Sequence, residues 1–83
     1  MTMADLHGTL ARVDAAGTDI AAAEKARRAL VETFDKDPSP QAVHAVADAL
    51  WRLGLVALLH HRNMDDALAL LKRAVDKKDP DVT

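Results

Sequence analysis

Eighty-three residues, 49% hydrophobic and 29% charged, suffice for one small globular domain and not for two. A formal charge of −2, from 13 acids against 11 Lys and Arg, offers no electrostatic footprint for nucleic acid or an anionic membrane. The absence of cysteine excludes disulfides, thiol catalysis and thiolate metal sites.

The core must be built from Ala, Leu and Val, because Phe34 and Trp51 are the only aromatic residues. Three Gly, three Pro and no alternating β-branched run predict an all-α chain. No basic stretch leads into an apolar run at the N-terminus, so no secretory leader is expected and the cytoplasm is the expected location.

In chain order, Thr2 is placed to cap a first helix, with Asp5 in its opening turn. Leu6, Leu10 and Val13 give that helix one apolar stripe, and Gly17 ends it. Thr18 is expected to cap the second helix, whose buried stripe reads Ile20, Ala23, Ala26, Leu30 and Phe34. Glu24, Arg28 and Glu32 form a charge ladder on its outside, a solvated face rather than a site. Asp35-Lys36-Asp37-Pro38 closes the helix, because the residue before proline avoids helical backbone.

The stretch from Ser39 to Arg62 reads as one long helix. Ser39 is its N-cap and Pro40 its first residue. It is apolar on three faces: Val43, Val46, Leu50, Leu53 and Ala57; Ala42, Ala45, Ala49, Val56 and Leu59; Trp51, Leu55 and Leu58. A helix apolar on most sides is buried among several others or lies in an interface. The uncharged run from Leu53 to Leu59 is far shorter than the ~18–20 residues of a membrane span, so no membrane partner is expected.

Asn63 then caps a fourth helix, with Asp65 and Asp66 in its first turn and Lys72, Arg73, Lys77 and Lys78 crowding its second half. Met64, Ala67, Leu68, Leu71, Ala74 and Val75 are expected to form its buried face. Asp79-Pro80 stops it, and residues 81–83 are expected to fray. The organisation is thus one helical domain over 1–80, with hairpins at 3–36 and 39–78, and with a plain four-helix bundle as the alternative.

The two halves echo one another. Ala26 to Pro38 and Ala67 to Pro80 share Ala, Leu, Asp, Lys and Pro at a shift of about 41 residues, the mark of a helical repeat. Trp51, Leu53-Gly54, Ala67, Leu71, Ala74 and Pro80 give the second hairpin a resemblance to a tetratricopeptide repeat over about Asp48 to Pro80. Departures are the Trp51-to-Gly54 spacing, one residue short, and Ala57 or Leu58 where that family carries a large aromatic. The resemblance implies a non-catalytic module that binds a protein or peptide on a face including Ala49, Arg52, Val56 and Leu59, with His60 at its edge. It gives no carboxylate clamp, because Arg52 is the one cation of the four and Asn63 the one Asn in the chain.

The apolar surplus of the long helix adds Trp51, Leu55 and Leu58 to that contact surface, against the blander reading that they are core. Two repeats are fewer than the about three that usually stand alone, which favours a homodimer or a dependent partner, with a homodimeric subunit of a larger assembly as a further alternative. No enzyme is expected: the single serine is explained by capping, and Gly8, Gly17 and Gly54 are scattered rather than gathered into a phosphate loop. His44, Asp48, His60, His61 and Asp65 offer metal-ligand chemistry, and a small metal- or ligand-binding bundle is the rival reading. A site needs ligands that converge, whereas His60 and His61 are adjacent on a helix and point apart, so no metal or cofactor is expected.

Overall fold

The computed structural model describes residues 3–77, and they form four α-helices: α1 (Met3–Ala15), α2 (Ile20–Phe34), α3 (Pro40–Leu59) and α4 (Met64–Asp76). The fold class is all-α, as the composition and periodicity predict. Thr2, Lys78, the Asp79-Pro80 stop and the tail at 81–83 lie outside the described residues.

The helix ends follow local chemistry. Gly17 adopts φ +57° between α1 and α2, a left-handed backbone that glycine takes without steric cost. Asp19, not Thr18, caps α2: its carboxylate accepts the Ala22 N–H at 3.1 Å. The cap therefore sits one residue later than the sequence suggested, and Ile20 becomes the first helical residue, 42% exposed, instead of part of the buried stripe. Ser39 caps α3 as expected, its hydroxyl accepting from Ala42 N–H at 3.3 Å. Asp37 in turn accepts the Ser39 N–H at 2.9 Å, and this bond holds its carboxyl below the usual range.

The long helix stops at Leu59, three residues before Arg62. Arg62 takes φ +52°, and the chain reverses so that Asn63 N–H reaches the Ala57 carbonyl at 2.9 Å. Asn63 then accepts the Asp66 N–H at 3.1 Å and starts α4.

Packing runs in sequence order: α1 on α2, α2 on α3, α3 on α4. The result is a slab of 35 × 27 × 19 Å. Its core is one cluster: Leu6 from α1, Leu30, Val31 and Phe34 from α2, Ala67, Leu70 and Ala74 from α4, and seven residues of α3. α3 is the common member: it packs on both α2 and α4, and Leu6 of α1 joins the cluster that its Ala42, Ala45, Ala49, Leu50 and Leu53 help to form. By length and mean hydropathy, 1.6, α3 is long and apolar enough to cross a bilayer despite Asp48 and Arg52. Half of that window is buried inside the domain's own core.

α3 and α4 meet at Gly54. A Cβ there would lie 2.7 Å from a Leu71 methyl carbon and 3.4 Å from the Ala67 carbonyl oxygen. The absent side chain is what allows the two helices to come this close.

Candidate protein-contact surface

α4 buries a different face from the one its apolar pattern suggests. Ala67, Leu70 and Ala74 are inside, while Met64, Leu68 and Val75 are 56%, 57% and 53% exposed. At about 100° per residue, Met64, Leu68, Leu71 and Val75 fall in an arc of about 60°. That arc is centred roughly a quarter turn from the buried Ala67–Ala74 line.

The opposite flank of α4 is polar and faces α2. Arg73 and Lys77 reach Asp35 at 3.6 and 2.6 Å, and Asp66 lies 3.8 Å from Arg28. Lys77 also donates to the Asp35 carbonyl oxygen at 2.6 Å. The hydrogen bond from Lys77 holds the Asp35 carboxyl below its ordinary value, with the charges of Lys77 and Arg73 adding to it.

Glu24 serves the same boundary. It bonds His61 at 2.8 Å in the α3–α4 turn and Arg28 at 3.3 Å on its own helix. The His61 bond is the main cause of its lowered pKa. The α2 ladder is therefore more than a solvated face, because Glu24 ties the first hairpin to the second. Below these ion pairs a cleft of about 520 Å³ runs between α2 and α4, lined by Val31, Leu50, Leu53, Leu70 and Arg73 among others.

Since α2 lies along the Asp66–Arg73–Lys77 flank, the Met64–Leu68–Leu71–Val75 arc points away from the first hairpin. On α3 the same outward side is reached by passing from Leu53 and Leu50, which line the α2–α4 cleft, beyond Gly54, which meets α4. There stand Leu58, Trp51 and Leu55. Trp51 is 41% exposed; Leu55 and Leu58 are half-buried, and Leu58 packs against the core cluster. The two arcs join into one apolar face on the outer side of the α3–α4 hairpin.

The remaining sequence-predicted contact residues divide. Ala49 is 3% exposed and packed in the core, out of reach of a partner. Arg52, Leu55, Val56 and Leu59 line a shallow groove of about 210 Å³ with Arg27 and His60. There Arg52 is held by Asp48 at 3.0 Å, one turn earlier on α3. Sequence reading missed Met64, Leu68 and Val75 as surface. The signal was present, since α4 carries more apolar positions than one contact line on α3 needs.

The residues of the rival metal reading are dispersed. His61 bonds Glu24, Asp48 bonds Arg52, and among the described residues no group of three His, Asp or Glu side chains converges on a point. The fold and its surface define an all-α, helical-hairpin domain with one outward apolar face. The chain matches no protein-family model, no curated protein and no solved structure.

Proposed function

We propose that this chain is a non-catalytic, tetratricopeptide-like protein-interaction module of the cytoplasm. The carrying observation is the grouping of large exposed apolar side chains. Four of the six among the described residues, Trp51, Met64, Leu68 and Val75, belong to the outer face of one hairpin. Scattered apolar residues are ordinary on a protein surface, whereas a contiguous set spanning two packed helices is what a binding partner covers. Aromatic residues and Met are also the types favoured in interface cores.

The mechanism is non-covalent docking. A preformed, rigid helix pair offers an apolar strip about three turns long, and charged residues at its margins set the orientation of what binds. The groove around Arg52, Val56 and Leu59, where the family resemblance places a ligand, is smaller and more polar, and takes second place.

A photo-crosslinking amino acid placed at Leu68, at Trp51 and, as reference, at the exposed Lys25 of α2 tests this in living cells. The expected result is crosslinking to the same polypeptide from Leu68 and Trp51 and none from Lys25, abolished by Val75→Asp with helical circular dichroism retained. Equal crosslinking from all three positions, or none from any, overturns the assignment.

A further inference from the structure

We infer that the occupant of this face is a second copy of the same chain. The copies would be related by a two-fold axis, with α4 antiparallel to α4 and the paired hairpins closing into an intermolecular four-helix bundle. The inference rests on the interaction-module reading and adds to it the identity of the partner.

The first support is the spacing. Met64, Leu68, Leu71 and Val75 recur at four, three and four residues, the seam of a helix that packs lengthwise on another helix. A two-fold contact is isologous, so the same stripe must fit itself. In an antiparallel pair Met64 lies opposite Val75 of the second copy and Leu68 opposite its Leu71, and every layer is apolar on both sides.

The second support is the charge pattern. α4's flank towards α2 uses its charges inside the chain, Asp66 with Arg28, and Arg73 and Lys77 with Asp35. On the stripe's other margin stand Asp65 and Lys72, both exposed, two turns apart, and neither paired with another described residue. Two-fold symmetry places Asp65 of each copy beside Lys72 of the other, giving two opposite-charge contacts; in a parallel arrangement this margin would face the opposite margin of the other copy and Asp65 and Lys72 would not meet. One margin is thus self-complementary in charge and the stripe self-complementary in shape.

The third support is the geometry of the hairpin. α3 sits about a quarter turn from the stripe, so pairing α4 with its copy brings both α3 helices side by side. The α3 residues turned to that junction are Trp51, Leu55 and Leu58. Four helices then surround one apolar centre, a common bundle solution. The face is about 20 Å long and two helices wide, of order 400 Å² in footprint per copy and more in accessible surface. Two copies together approach the about 1,000 Å² that a specific interface needs.

Light scattering behind size exclusion, over a wide concentration range, reads the outcome directly. The chain is expected to run at twice its 9.0 kDa mass. Leu68→Asp is expected to run as a monomer with unchanged helical circular dichroism, because Leu68 is exposed within one copy. Leu58 is unsuitable for this purpose, since it also packs on the core. Asp65→Lys and Lys72→Asp are each expected to weaken the dimer about tenfold or more, and the double exchange to restore it. A monomer up to about 1 mM overturns the second copy. So do a Leu68→Asp dimer and single reversals without effect. A monomer that still crosslinks to another protein from Leu68 refutes self-association alone and leaves the module reading standing. A monomer with no crosslink refutes both.

Discussion

Gly8 and Gly54 are the same residue type at helix-interior positions, yet they have opposite consequences. Gly8 is exposed on α1, with no atom within 4 Å of where a Cβ would stand. Gly8→Ala therefore gains helix propensity alone and is expected to raise stability by up to about 1 kcal/mol, read from the urea midpoint. At Gly54 a Cβ would stand 2.7–2.8 Å from Leu71 carbons, so any larger side chain must drive Leu71 outward or part α3 from α4. Gly54→Leu is expected to cost about 2 kcal/mol or more in the same assay. Both positions were visible in the sequence, but only the crossing of two helices tells them apart. The Thr18–Asp19 choice of cap is of the same kind: either side chain could cap, and the backbone path settled on Asp19.

Among the elements, α4 is where sequence and structure diverge most. Its start and its cap were legible, because Asn63 and the acids that follow it are local signals. Its orientation was not. Eight apolar positions cover more than one face, and the choice of Ala67, Leu70 and Ala74 as the inner line is made by small residues meeting Gly54 and by Asp35 holding Arg73 and Lys77. That ionic latch has a sign in pH. The Glu24 and Asp35 carboxyls are held below their ordinary values in the fold, so their contribution is full above the ordinary carboxylate range, about 4. It is lost as pH falls through the lowered folded values. Urea midpoints measured from pH 6 to pH 2 should fall over that interval. Asp35→Asn should be less stable at pH 6 and fall less steeply in acid. Parallel curves for the two proteins would remove Asp35 from the account.

For the whole molecule, the proposed dimer makes stability depend on concentration. Anything that binds the folded chain and not the unfolded one raises its melting temperature by mass action. The Tm of the chain should therefore climb with protein concentration, and that of Leu68→Asp should stay flat. A flat wild-type curve would mean that the four helices are sufficient by themselves. The slab arrangement makes the question physical: with each helix packed mainly on its neighbours in sequence, the second hairpin has an inner side, against α2, and an outer side that no other described helix covers.

The amino-acid sequence by itself determined the helical class, the four elements and most of their ends. Those depend on propensity, capping side chains and proline or glycine punctuation, all local in the chain. It also marked α3 as the central helix, since only surrounding helices can satisfy a helix that is apolar on three sides. Tertiary structure alone decided which surplus apolar residues are core and which are surface. Ala49 went in, while Trp51, Leu68 and Val75 stayed out. The physical reason is that apolar side chains are interchangeable in the water they avoid. Their assignment to inside or outside follows from close backbone approach at Gly54 and from ion pairs 37 to 42 residues apart in the chain, and no local pattern records either.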